Sequence, residues 1–134
     1  MVNRVAFNGP AITEFHPATP AYPDLGIEAR DWYFTVHATF TVRWKSYTLT
    51  IPEGLETDLA SIPRILQSFI PLIGNHLQAA IVHDMCYRAK VGVSKKDADD
   101  MFLDMMRELG VPLWKRTVMY QAVNLFGASS FKGG

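Results

Sequence analysis

The chain has 134 residues, in which 13 Lys and Arg balance 13 Asp and Glu, with 49% hydrophobic side chains and a single Cys. That size and apolar content fit one domain with a core of its own and exclude a disordered chain. Zero net charge excludes the basic excess on which nucleic-acid wrapping draws, and a lone Cys86 excludes an intramolecular disulfide framework.

Four of the eight prolines (Pro10, Pro17, Pro20 and Pro23) fall in the first 23 residues. Proline lacks an amide donor and disfavours helix at the preceding residue. Residues 1–30 therefore read as a proline-rich extended arm lying on the domain or on a partner, ahead of a single α+β domain over 31–134. Phe34, Val36, Ala38, Phe40, Val42 and Trp44 alternate with more polar neighbours, the period of a half-buried strand. Lys45-Ser46 reads as a turn and Tyr47, Leu49 and Ile51 alternate again, predicting a β-hairpin that ends before Pro52-Glu53-Gly54.

Helical spacing takes over in the second half. Pro63 opens a short helix towards Phe69, broken by Pro71 and Gly74. Asn75 is a candidate N-cap for a helix over residues 76–89. Ser94-Lys95-Lys96-Asp97 resembles a capping box for a helix to residue 109, with Gly110 at its end. Pro112 starts a last helix that Gly127 stops. No leader pattern opens the chain, and the longest apolar stretch, residues 62–73, is interrupted by Arg64, Gln67, Ser68 and Pro71, so no transmembrane segment is expected. The order predicts an α+β fold: a small antiparallel hairpin or sheet packed on a three- to four-helix bundle.

The helix over 76–89 is apolar almost all round, which marks it as buried, yet it carries His83 and Asp84 in its middle. Enclosing such a pair costs several kcal/mol unless each group finds partners. On the next helix Asp97, Asp100 and Asp104 project to the solvated side, whereas Asp99 flanks the apolar face. Antiparallel packing of the two helices would bring Asp99 to the His83 imidazole, orienting the ring and leaving its other nitrogen to activate water. The alternative is a structural cluster in which His83 bonds Tyr87 or a carbonyl and Asp84 caps a loop or pairs with an Arg. Asp58 and Ser61, in Thr57-Asp58-Leu59-Ala60-Ser61-Ile62-Pro63, read as caps of the short helix; Asp58 could instead join Asp84 at a hard cation. Ser61 lacks the G-x-S-x-G elbow of a hydrolase nucleophile. Trp114, Val118, Tyr120, Val123, Leu125 and Phe126 read as the core face of the last helix, His16 and His37 as surface or packing residues, and Cys86 as an inert small hydrophobe.

The segments His83-Asp84-Met85-Cys86-Tyr87 and Ala98-Asp99-Asp100-Met101-Phe102 resemble the H-D-x-x-Y … A-D-x-x-F pattern of secreted phospholipases and of the parvovirus capsid phospholipase. That resemblance implies that His83 activates water, Asp84 binds Ca2+, and Tyr87 and Asp99 orient the His. The chain carries neither the glycine-rich Y-x-G-x-G calcium loop nor the disulfides of those enzymes. A second resemblance runs from Gly54 to about residue 127. The G-x-x-T-D-x-A-S-x-P segment at 54–63, the H-D-x-x-Y segment and the A-D-x-x-F segment follow in the order seen in a small family of tailed-phage and prophage proteins with no assigned activity.

Two functions follow. The first is a phage-encoded virion-associated or assembly protein, a tail or head accessory component. It would be made in the host cytoplasm and dock through the arm on other phage structural proteins or on its own copies. The second is a hydrolase acting on lipid or another ester or amide. There His83 serves as general base, Asp99 and Tyr87 as orienters, and Asp84 and Asp58 as ligands for Ca2+. Neither involves nucleic acid.

Overall fold

Residues 5 to 44 form one interrupted antiparallel ribbon in the computed structural model, which describes residues 4–63, 66 and 74–132. Strand β1 (Val5–Asn8) pairs with β4 (Phe40–Trp44), and β2 (Thr13–His16) pairs with β3 (Tyr33–Val36). Single bridges between Thr19 and Arg30 and between Tyr22 and Ile27 carry the same register to a tip at Pro23–Leu25, closed by Gly26 at φ +68°. The four early prolines sit where no ladder donor is needed. Pro10 lies at a break in pairing, Pro17 just past β2, Pro20 between the bridges and Pro23 at the tip. The proline-rich segment is thus extended, and it pairs with the chain's own residues 27–44.

Both limbs change sheet at the break. One three-stranded sheet has the order β1-β4-β5, with β5 at Tyr47–Ile51, and the other has β2-β3-β6, with β6 at Glu56–Thr57. The His37 amide donates to the Ile12 carbonyl at 2.7 Å and ties the limbs together there. The predicted hairpin forms only in its second part, β4 to β5, turning at Lys45 with φ +51°; residues 33–36 leave for the second sheet. Alternation could not reveal that departure, because Phe34, Val36, Phe40, Val42 and Trp44 stay buried on one parity through the switch.

Three α-helices follow among the described residues: α1 (Leu77–Arg88), α2 (Lys95–Glu108) and α3 (Leu113–Phe126). The fold is α+β, and the described residues form two small antiparallel sheets and three α-helices. The short helix predicted after Pro63 falls on residues that, apart from Leu66, lie outside the described residues. Ser94 caps α2 as its sequence requires, its hydroxyl accepting from the Asp97 amide at 3.1 Å. Asn75 does not cap α1; His76 holds that position and the Asn75 amide reaches the Leu109 carbonyl instead.

Helix α1 is buried without a break from Ala79 to Tyr87, as its apolar circumference predicts. It runs antiparallel to α2, since residue 87 meets 95, residue 83 meets 99 and residue 75 meets 109. The supposedly solvated carboxylates of α2 are half-buried and employed. Asp104 accepts from the Trp44 indole at 2.8 Å, Asp97 from the Tyr47 hydroxyl at 2.6 Å and Asp100 from the Tyr120 hydroxyl at 2.8 Å. They dock the first sheet and α3 on α2, because an indole or phenol at a sheet–helix interface needs an acceptor. The reading of α3 is also corrected. Met119, Ala122 and Val123 are its buried residues, while Trp114, Val118, Leu125 and Phe126 face outwards. No helix among the described residues is long and apolar enough to cross a membrane.

Candidate functional site

The sealed side of α1 is where three separate motifs meet. His83, Asp84 and Asp99 are fully buried, Tyr87 is buried with them, and Thr57 approaches from the end of β6 and Ser61 from the turn after it. The His83 Nε2 lies 2.8 Å from Asp99 Oδ1, which also accepts from the Tyr87 hydroxyl at 2.5 Å. Lys95, four residues before Asp99 on α2, reaches Oδ2 at 2.8 Å and the carbonyls of Val123 and Asn124 on α3. The His83 ring stacks obliquely between Tyr87 and Phe102.

Hydrogen-bond logic fixes the tautomer. An ionised carboxylate only accepts, so Nε2 carries the proton given to Asp99 and Nδ1 keeps its lone pair. Nδ1 lies 3.1 Å from Ser61 Oγ, so the Ser61 hydroxyl donates to it. Burial lowers the His83 pKa from its ordinary 6.5, outweighing the opposite pull of Asp99, so the ring is neutral near pH 7. Burial by itself would raise Asp99, but hydrogen bonds from His83, Lys95 and Tyr87 outweigh it and hold the carboxyl below 3.8. The Tyr87 hydroxyl is raised, first by burial and then by its bond to Asp99, so it remains a donor. Burial pushes the Cys86 thiol up to about 12, which keeps it inert.

Asp84 has a different set of partners. Its Oδ2 accepts from the Thr57 hydroxyl and from Arg88 Nε at 2.7 Å, and its Oδ1 accepts from the Ser61 amide at 3.1 Å. Asp58 accepts locally from the Ala60 amide at 3.0 Å. Calcium takes 6–8 oxygen ligands, and a guanidinium on the same carboxylate competes with it. The donor set does not fit Asp84 as a calcium ligand, and among the described residues no group of three or more His, Cys, Asp or Glu is arranged to hold a metal ion.

Two further features shape the site. Gly127, expected only as a helix stop, also clears space: a Cβ there would lie 2.6 Å from the Tyr87 hydroxyl. Phe131 packs edge-on against the Tyr87 ring, and the Lys132 amide donates to the Tyr87 carbonyl at 2.7 Å. An open cavity of about 340 Å³ lies alongside, lined by residues 29–33, Glu56, Thr57, Asp58 and Arg88. It touches the Asp84 partners Thr57 and Arg88 but neither His83 nor Asp99.

The residues that meet here lie in a stretch matched, over 34–123 of the 134, by the family described as a protein of unknown function, DUF1353. The chain belongs to that family. The family's span runs from β3 to the last buried residue of α3 and holds Thr57, Ser61, His83, Asp84, Tyr87, Arg88, Lys95 and Asp99. An uncharacterised protein, y4jT, of Sinorhizobium fredii (strain NBRC 101917 / NGR234) is 38% identical over 79 residues, which are 58% of this chain and 23% of that protein. The chain therefore spans less than a quarter of that relative's length. No solved structure matches.

Of the residues singled out from sequence, His83, Tyr87 and Asp99 form one hydrogen-bonded unit, and Asp84 adjoins it through Ser61. Asp58 is held apart by its own turn. Arg88 is the Arg partner that the structural reading gave Asp84 without naming it, whereas Thr57 and Lys95 had been given no role at the site. For the two cations the available signal was an i,i+4 spacing to a carboxylate, Asp84 to Arg88 and Lys95 to Asp99.

Proposed function

We propose that the protein is a hydrolase of carboxylic esters, phospholipid esters included, with His83 as its general base. One observation carries this reading: Asp99 holds the imidazole at Nε2, and the free lone pair on Nδ1 is presented to a hydroxyl. A neutral imidazole with one nitrogen oriented by a carboxylate is the arrangement that general-base catalysis requires. Tyr87 and Lys95 keep Asp99 ionised and still, which positions the ring without touching substrate. The resemblance to phospholipases is in keeping with these roles for His83, Tyr87 and Asp99. Asp84 serves the turn after β6 in this scheme, and no step runs through calcium.

The test is hydrolysis of p-nitrophenyl esters of graded chain length and of mixed phospholipid vesicles, each with calcium and with chelator. Wild-type turnover should fall by about 10²-fold or more in His83→Gln. Wild-type protein inactive on both substrate sets would remove the reading. Calcium dependence of the turnover would return Asp84 to a ligand role.

A second reading, a phage virion or assembly component, is favoured by the apolar side chains left in solvent on α3 and at the ribbon tip, where Tyr22, Leu25 and Ile27 are exposed. It predicts self-association of the purified chain through those residues.

A further inference from the structure

We infer that Ser61 is a covalent nucleophile, forming an acyl-serine intermediate at the His83 centre; this rests on the reading of His83 as general base. The sequence argued against Ser61, because it lacks the elbow motif. The fold supplies in space what the motif would supply locally.

Three observations carry the assignment. Ser61 Oγ stands 3.1 Å from the one nitrogen of His83 that Asp99 leaves free, so Ser61, His83 and Asp99 form a continuous relay of hydroxyl, imidazole and carboxylate. Ser61 is also fixed through its backbone, whose amide donates to Asp84, itself held by Thr57 and Arg88. Finally, Leu59, two residues earlier, has φ +55°, a left-handed conformation costing a branched side chain about 1–2 kcal/mol. Strain of this kind gathers at turns that present reacting groups.

The chemistry balances without a co-reactant other than water. Ser61 Oγ adds to the acyl carbon of an ester while its proton passes to His83 Nδ1. The acyl–oxygen bond then breaks, and the departing alcohol takes the proton from Nδ1. Water gives a proton to the same nitrogen as it adds to the acyl carbon. The bond from that carbon to Oγ breaks, Ser61 recovers its proton, and a carboxylic acid leaves. Asp99 remains ionised throughout and holds Nε2–H.

In the closed form Ser61 is 3% exposed, and the amides of Ser61 and Ile62 are engaged by Asp84 and the Leu59 carbonyl. Substrate entry therefore requires the turn over residues 57–63 to move off α1. That turn has a solvent-facing side, since Thr57 and Asp58 line the open cavity.

Fluorophosphonate labelling tests the proposal without knowledge of the natural substrate. The full chain is incubated with the probe at pH 8 and analysed by intact mass and peptide mapping, in parallel with ester turnover. One adduct is expected, on Ser61, absent in Ser61→Ala and at least 10-fold slower to form in His83→Gln. Ester turnover in Ser61→Ala should fall by more than about 10³-fold. Ser61→Cys, which keeps a donor facing Nδ1, should instead accumulate a thioester burst, and thermal melting of each variant separates loss of chemistry from loss of fold. If Ser61→Ala keeps turnover that still depends on His83, water is the nucleophile; the inference falls and the hydrolase reading stands. An adduct on another residue also overturns it. A wild-type chain that neither labels nor hydrolyses overturns both.

Discussion

Between α1 and α2 the protein encloses His83, Asp84, Tyr87 and Asp99 completely, whereas on neighbouring α3 Trp114 and Leu125 are 65% and 67% exposed. Side-chain polarity would have sorted these two regions the other way round. The difference lies in partners. Asp84 and Asp99 each have a cation four residues away on their own helix, and the stems of Arg88 and Lys95 run up from the surface to reach them. Trp114, Val118 and Leu125 share one face of α3, opposite Val123, and all three are exposed there. Position in the fold, more than chemical type, decides what is buried, provided that every enclosed charge is matched.

Breaking the enclosed side should have the largest effect. Asp99→Ala removes the common acceptor of His83, Tyr87 and Lys95 and leaves three buried or half-buried donors without it. The expected loss is about 3–5 kcal/mol in urea unfolding. A loss below about 1 kcal/mol would mean that the network does not hold α1 against α2.

Acid should act on the same network more gradually. The His83 pKa is lowered in the folded state, chiefly by burial, so the unfolded chain binds the proton more readily. Stability from this group is complete above about pH 6.5 and falls as pH drops below it, by up to about 1.4 kcal/mol per pH unit. Asp99, also lowered, adds its own loss below about pH 3.8. Thermal melts from pH 7.5 to 5 should slope for wild type and flatten for His83→Gln. Equal slopes would assign the acid sensitivity elsewhere.

The outward face of α3 should give the smallest response. Trp114→Ser combined with Leu125→Ser is expected to change monomer stability by no more than about 0.5 kcal/mol, while lowering any self-association seen by sedimentation. A destabilisation above about 2 kcal/mol in dilute solution would mean that this face is covered, and the contrast with α1 would disappear.

Much of this was readable where the cause is local. Ser94 caps α2 because its hydroxyl reaches an amide three residues on, and α1 announces its burial through an apolar circumference. The meeting of His83 with Asp99 also followed, because helical spacing and antiparallel packing place both on one interface. The ribbon was not readable. Its register joins Val5 to Trp44 and Tyr22 to Ile27, and no local pattern records which distant strand supplies the partner. Asp97 and Asp104 looked solvated for the same reason, since Tyr47 and Trp44 reach them from another element. Ser61 was flagged by its motif and set aside for want of a nucleophile elbow, and the imidazole that it faces lies 22 residues further along the chain.

By itself, then, the sequence determined the helix limits, the strand alternation and a polar pair that had to find partners. Tertiary structure alone decided that Ser61 faces Nδ1, that Asp84 seats the turn after β6, and that the apolar stripe of α3 points into solvent. Capping and periodicity act within one or two turns of chain. The direction of a hydroxyl towards an imidazole depends on how sheet, turn and helix pack together.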